Sequence, residues 1–248
     1  MKRPEWSYLE PKAIILVGPP GSGKGTQAAR VSPVLGIPTV STGEMLRREC
    51  QSGSALGHAV KAILASGQLV SDDLMNQVVA SRLRESDCRN GFILDGYPRT
   101  VAQARFLENL LVELNVPGRV VFHFDISNKD VVSRLTRRLQ CAKCGRIFSM
   151  SATAGDREML CDRDGSTLVH RPDDDANCIP ERLRLYEKNA NPLLRFYRQR
   201  GCHRIRANRS PEEVAREILA VVSSESTTPR VVFSRPRAKA AGQPSYSV

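Results

Sequence analysis

The chain reads as an α/β protein, a parallel sheet flanked by helices, on three observations. Apolar strand-like runs alternate with helical periodicity, a Gly-rich loop sits at the first strand–helix junction, and two polar stretches interrupt an otherwise regular rhythm. Strands joined by helical crossovers are covered on both faces, so they are expected as continuous apolar runs. With 248 residues and 41% hydrophobic content, the chain can build one core that carries insertions.

The elements follow in order. Residues 1–12 form a short polar extension, and "AIILV" at 13–17 is the first strand, leading through the Gly/Pro-rich turn into a helix. Residues 41–70 read as short helices joined by small residues, with no strand. In "GFILDGYPRT" a buried strand covers 92–94; a helix over 101–113, the strand "RVVFHFDI" and a helix over 128–138 follow. Residues 139–174 hold cysteines among polar and glycine positions, and both polar stretches read as insertions into one domain spanning 13–222. The chain resumes with a long helix around 180–200, where Pro180 is tolerable in the first turn, then "CHRIRA" as the last strand and "SPEEVAREILAVV" as a helix. Ser210 is its expected N-cap and Glu213 the capping-box partner. From residue 223 to 248 the composition turns to Ser, Thr, Pro, Arg and Lys, which predicts a disordered basic tail.

A net charge of +11 calls for an anionic partner, and nucleotides, nucleic acid or anionic membranes would all serve. No run approaches the roughly 18 apolar residues of a membrane span, and "MKRPEWSYLEPK" lacks the apolar stretch of a secretory signal, so a cytoplasmic protein is expected. Seven cysteines, an odd number in a chain of this length, argue for reduced thiols or a metal site and against a disulfide framework. Cys50, Cys88 and Cys202 read as buried thiols and Cys178 as part of the helix after the second insertion. His123 reads as a core residue, and His170 receives no role.

"GPPGSGKGT" spaces Gly18, Gly23 and Lys24 as a P-loop requires, between a strand and a helix. Glycines let backbone N–H groups turn toward phosphate oxygens, the helix N-terminus adds its positive end, and Lys24 can reach the β- and γ-phosphates. Gly25 follows the lysine where the general motif has Ser or Thr, and Thr26 comes one residue later. Asp95, at the carboxyl end of a buried strand, is positioned to hold water on Mg²⁺, and Arg99 can clamp a phosphate with its fork. Cys141 and Cys144 form one C-x-x-C hook, while Cys161 opens a second hook whose closing position is Asp164, with Asp162 as a competitor.

"GPPGSGKGTQA" resembles the phosphate loop of nucleoside monophosphate kinases, and of adenylate kinases in particular. "STGEMLRREC", "GQLVSDDL", "LDGYPRT", "SRLTRRLQC" and "HRPDDDANCIPERL" are similar to further segments of that family, in order, over residues 13–222. The resemblance implies a P-loop, five-stranded parallel sheet flanked by helices, with an AMP-binding helical insertion at 41–70 and a zinc-stapled lid at 139–174. It implies that Gly21, Ser22, Gly23, Lys24, Gly25 and Thr26 bind ATP phosphates, and that Arg134, Arg138 and Phe148 complete the ATP site. Arg137 stands where the family has glycine and Leu139 where it has a second arginine. Thr42, Arg47, Leu69, Val70, Gly96, Arg99, Gln103, Arg171 and Arg182 would form the AMP site, with Gln103 reading adenine. Arg171 and Arg182 would swing onto the transferring phosphoryl group, beside the acidic pair Asp173 and Asp174.

In the same family four cysteines, or three and an aspartate, hold a structural zinc ion in the lid, which matches Cys141, Cys144, Cys161 and Asp164. The implied reaction is reversible transfer from Mg²⁺-bound ATP to AMP giving two ADP, in the service of adenine nucleotide homeostasis. Lys24, Arg99, Arg138, Arg171, Arg182 and Asp95 would be the catalytic set. A monomer without membrane or nucleic-acid partners is implied. A kinase using GTP as donor is the rival within the class. Pyrimidine monophosphate kinases usually have a short lid without cysteines. A nucleic-acid-binding protein is the rival from another class, and an aromatic content of 5% gives it little to stack bases on.

Overall fold

The computed structural model describes residues 12–51, 55–65, 68–150 and 160–224. The expected extension, except Lys12, and the expected tail beyond Ser224 lie outside the described residues, as does the middle of the second insertion.

Five strands form one parallel sheet: β1 (Lys12–Val17), β2 (Thr39–Ser41), β3 (Gly91–Asp95), β4 (Gly118–Asp125) and β8 (Cys202–Arg206), in the order β2-β3-β1-β4-β8. β1 lies at the centre and is buried from Ala13 to Val17, because helices cover both of its faces. Its side chains alternate between two cores. Ala13, Ile15 and Val17 pack with Leu94, Leu107, Leu193 and Tyr197, while Ile14 and Leu16 pack with Ile93, Val31, Phe122 and Ile218.

The first face is covered by α4 (Asp72–Leu83), α5 (Val101–Glu113) and α7 (Cys178–Arg198); the second by α1 (Lys24–Leu35) and α8 (Pro211–Ser224). α5 spans the expected residues, and α7 begins two residues earlier than expected, with Pro180 in its first turn. The capping box on α8 is reciprocal: Glu213 N–H donates to Ser210 Oγ at 3.3 Å and Ser210 N–H donates to Glu213 Oε2 at 3.0 Å.

Several readings need correction. The stretch at 41–70 does contain part of a strand, since β2 runs through Ser41 before α2 (Thr42–Gln51) and α3 (Ala55–Ala65) begin. The helix expected over 128–138 is α6 (Asn128–Thr136), because Arg138 already pairs with Ser149 across the second sheet. Cys50 and Cys202 are half-buried, and Cys88 is buried.

That second sheet lies in the insertion expected as a lid. β5 (Arg138–Cys141) pairs antiparallel with β6 (Ile147–Ser149) on one side and β7 (Leu168–Val169) on the other. Among the described residues its buried cluster is small: Leu139, Cys141, Cys161 and Leu168, with Cys144 and Phe148 against it.

Candidate active site

The carboxyl ends of β1, β2 and β3 lie side by side, so the segments that follow them share one edge of the sheet. After β1 comes the P-loop. Gly23 caps α1 at φ 96°, a left-handed conformation open to glycine, and no side chain caps the helix. The first turn of α1 carries no acidic residue, unlike those of α4, α6 and α8. Its N-terminus therefore keeps its full positive character for an anion.

Lys24 curls back over this loop, donating to Gly18 O at 2.8 Å, Pro19 O at 2.7 Å and Ser22 Oγ at 3.3 Å. Burial pushes its ammonium down to about 8, Asp95 opposes the shift, and Arg99, Arg182 and Arg138 add to it. Asp95 also accounts for the unusual glycine after the lysine. A Cβ on Gly25 would lie 3.1 Å from Asp95 Oδ2, so a larger residue would crowd the carboxylate.

From β2, Thr42 opens α2 and donates its hydroxyl to Gly96 O at 3.0 Å, which ties the first insertion to the turn after β3. Arg47 lies one turn on, folded over Gly43. Its buried Nε has no hydrogen-bond partner among the described residues, and burial pushes the guanidinium below its ordinary value while Asp173 opposes the shift. Val70 is buried and Leu69 half-buried beside the same insertion. Past β3, Arg99 Nε donates to Gly96 O at 2.7 Å. Gln103 is buried, accepting from Arg99 N–H and donating to Asp72, each at 2.7 Å.

The lid and α7 supply the remaining cations. Arg138 makes a two-pronged contact with Asp174, Nε to Oδ2 at 2.6 Å and Nη2 to Oδ1, and Arg182 Nη1 reaches the same Oδ1 at 2.7 Å. The Asp174 side chain is 0% exposed, and among the described residues these two arginines are the partners of its carboxylate. Arg182 also reaches Asp173 Oδ2 at 3.2 Å. Burial would raise the Asp173 carboxyl, but Arg182, Arg47 and Arg171 hold it below its ordinary value. Arg171 donates to Gln140 Oε1 and is pushed down to about 9 by burial, then by Arg138 and Arg47.

Of the sequence-predicted nucleotide residues, Lys24, Arg47, Arg99, Arg138, Arg171 and Arg182 thus fall in one electrostatic neighbourhood. Arg137 is exposed, and Leu139 is buried in the lid cluster. Arg138 is the member of this segment that turns inward. Arg134 is occupied in bracing the loop: Nη1 donates to Ser22 O at 3.4 Å and Nη2 to Ala207 O at 2.7 Å. Phe148 packs on the lid cluster, pairs with Leu139 across the sheet, and lies under the Arg146 guanidinium at 5.5 Å. Asp72 and Gln140 were not singled out by sequence, because each acts through a partner some thirty residues away.

The two lid hooks fold alike. Cys141 and Cys161 N–H groups donate to Arg146 O at 2.9 Å and Ser166 O at 2.8 Å. The Gly145 and Gly165 N–H groups return to Cys141 O and Cys161 O at 3.1 and 2.9 Å, with φ of 73° and 68°. Tetrahedral Zn²⁺ with Zn–S of about 2.3 Å sets two sulfur ligands about 3.8 Å apart, and a sulfur and an oxygen about 3.6 Å apart. Here Cys144 Sγ lies 3.6 Å from Cys161 Sγ, Cys141 Sγ lies 3.4 Å from Asp164 Oδ1, and all four donors fall within 4.8 Å of one another. The residues fit a four-coordinate metal. Asp162, the competitor, is instead paired with Arg146 at 2.7 Å.

His123 is half-buried, its Nε2 3.4 Å from the Tyr186 hydroxyl, consistent with a packing role. Among the described residues no helix is long and apolar enough to cross a membrane.

Comparison with known proteins agrees with this geometry. The adenylate kinase family profile matches residues 16–202. An adenylate kinase of Archaeoglobus fulgidus is 40% identical over 210 residues, covering 84% of this chain and 97% of that protein. One from Methanosarcina mazei is 43% identical over 188 residues, 76% of this chain and 87% of that protein. One from Thermosipho africanus is 38% identical over 210 residues, 84% of this chain and 98% of that protein. With its P-loop, its two insertions and its arginines gathered at one edge of a five-stranded parallel sheet, the chain belongs to the adenylate kinase family.

Proposed function

We propose that the chain transfers the terminal phosphoryl group of Mg²⁺-bound ATP to AMP, reversibly, giving two ADP. The observation that carries this reading is the gathering of Lys24, Arg99, Arg138, Arg171 and Arg182 from distant segments, offset by Asp95, Asp173 and Asp174. Phosphoryl transfer is mostly positioning and charge stabilisation, so such a cage suffices without a side-chain nucleophile.

In this reading Gly21, Ser22, Gly23, Gly25 and Thr26 present the loop to the ATP phosphates, and Lys24 exchanges loop carbonyls for phosphate oxygens. Arg134 holds the loop in place for ATP. Arg47 and Arg99 take the AMP phosphate, Thr42 and Gly96 join the two walls of its site, and Leu69, Val70 and Gln103 border its base. Arg138, Arg171 and Arg182 leave Asp174, Asp173 and Gln140 for the phosphoryl group as charge develops on it. Mg²⁺ accompanies ATP and neutralises phosphate charge; Asp95 and Thr26 are the residues that would hold it, Asp95 through water. Closing the insertions would keep water from taking the phosphoryl group.

Cys141, Cys144, Cys161 and Asp164 would hold a structural Zn²⁺. With four protein donors no position is left for substrate, so the metal staples the lid and does no chemistry. A cytoplasmic monomer is the setting this implies, and the seven cysteines, all free, suit a reducing compartment.

The test is ADP formation by purified protein with Mg²⁺ and each pairing of ATP or GTP with AMP, CMP, UMP or GMP. Rapid turnover with ATP plus AMP is expected. Preference for GTP plus AMP would change the donor, on which the packing of Phe148 within the lid bears directly. No transfer with any pair would overturn the reading.

A further inference from the structure

Gln103 lies on the first turn of α5, 2% exposed, with its amide committed at both ends. Arg99 N–H donates to Oε1 at 2.7 Å, and Nε2 donates to Asp72 Oδ1 at 2.7 Å. The second oxygen of Asp72 accepts from Thr100 Oγ1 at 2.7 Å, and Thr100 is the N-cap of α5. One half-buried carboxylate, at the first residue of α4, thereby joins the starts of two helices.

The oxygen and nitrogen of a glutamine amide are nearly the same size, so partners alone decide which way it points. Flipped, this amide would set its N–H against Arg99 N–H and its carbonyl against the Asp72 carboxylate. Two hydrogen bonds, one of them charge-assisted, would give way to two repulsive contacts.

We propose that Asp72 is a positioning residue that sets base specificity: by locking the Gln103 amide in one orientation, it makes the acceptor site accept adenine and reject 6-oxopurines. The inference rests on the reading of Gln103 at the acceptor base. After its two bonds, Gln103 keeps one lone pair on Oε1 and one N–H on Nε2. Adenine answers that pair with its N6 amino donor and N1 acceptor. Hypoxanthine and guanine present the reverse, an O6 acceptor and an N1–H donor. A glutamine free to flip matches either pattern, whereas a locked one matches a single pattern and leaves the other with opposed like groups.

The experiment compares kcat/KM for AMP and IMP at saturating ATP in wild type, Asp72→Ala, Asp72→Ser, Asp72→Asn and Gln103→Ala. IMP differs from AMP only on the edge in question. Asp72→Ala and Asp72→Ser, which cannot reach Nε2, are expected to lower the AMP/IMP ratio at least tenfold with KM for ATP within twofold of wild type. Asp72→Asn keeps an acceptor for Nε2 and is expected to hold most of the discrimination, a rescue that loss of helix stability alone would not produce. Should Asp72→Ala fail to fold, Asp72→Ser makes the same test, since serine is well tolerated at a helix start. A wild-type ratio in a folded Asp72→Ala or Asp72→Ser variant overturns the proposal. A wild-type ratio in Gln103→Ala overturns it at its root, by removing Gln103 from the base site while leaving the phosphotransferase reading intact. Wild-type protein inactive with AMP would sink that reading and this inference together.

Discussion

On the sheet, β1 buries five consecutive apolar residues between two layers of helices, whereas the described part of the lid gathers four buried side chains, two of them the leading cysteines of the paired hooks. The sheet can hold its edge loops in place by packing alone. The described part of the lid shows no comparable apolar cluster, so in the proposed reading its stability draws on the four donors and the metal they would bind. Yet the charges proposed for catalysis are divided between the two regions, Lys24 and Arg99 on the sheet, Arg138 and Arg171 on the lid. In the proposed mechanism, positioning and covering thus fall to parts with different sources of stability.

The largest expected effect tests the rigid side. Lys24→Met should lower turnover by at least about 10³-fold, as removal of a principal phosphate cation does, without lowering the melting temperature. Steady-state kinetics beside a thermal melt checks this; near-normal turnover would detach Lys24 from the chemistry. Next comes the joint between the regions. Asp174→Asn leaves Arg138 and Arg182 without their shared carboxylate and should cost about 3 kcal/mol or more, as breaking a buried pair typically does. Denaturant unfolding reads it, and an unchanged midpoint would mean that the arginines find other partners.

A smaller effect isolates the lid. Asp164→Ala should cost about 2 kcal/mol, or roughly 4–8 °C in melting temperature, and reduce metal retained after chelation, while turnover at low temperature falls much less. Equal metal content and melting would remove Asp164 from the ligand set.

The pH dependence of Lys24 gives opposite signs for function and folding. Its folded-state value near 8 lies below the ordinary 10.5, so below pH 8 the ammonium is charged in both states and the cost of burying it is present in full. Between pH 8 and 10.5 the unfolded chain binds more protons, and this group's contribution to stability rises with pH. Over the same interval kcat/KM for ATP should fall, by about tenfold one unit above the folded pKa, because the phosphates lose their cation. A kcat/KM profile flat from pH 7 to 9.5 would contradict the placement of Lys24. Smallest is the control: Ser210→Ala removes the cap of α8 on the sheet side and should cost about 1 kcal/mol with metal content unchanged. Loss of metal in that variant would show that the two regions do not stand apart.

The sheet was legible because its strands announce themselves as apolar runs, and the P-loop because its spacing sits at a strand–helix junction. β2 escaped because three residues, Thr39–Ser41, are too few to display a period. The helix ending at Thr136 was overrun because Arg137 and Arg138 suit a helix locally, and only pairing with β6 and Asp174 draws the chain out of it. The residues proposed to touch phosphate lie within compact motifs, whereas Asp72 and Gln140 act through distant partners, Gln103 and Arg171, that no local window contains.

The matched turns at Cys141 and Cys161 bear on how such a lid can change over time. Each asks the chain for the same items, a donor at the fourth position and a glycine directly after it at positive φ, 73° at Gly145 and 68° at Gly165. A carboxylate and a thiolate each bring one negative charge, so Asp164 in a cysteine's position leaves the net charge around a divalent ion unaltered, while the backbone keeps its turn. The fourth donor can therefore be either residue type, and exchanging sulfur for oxygen there asks for no rebuilding of the turn around it.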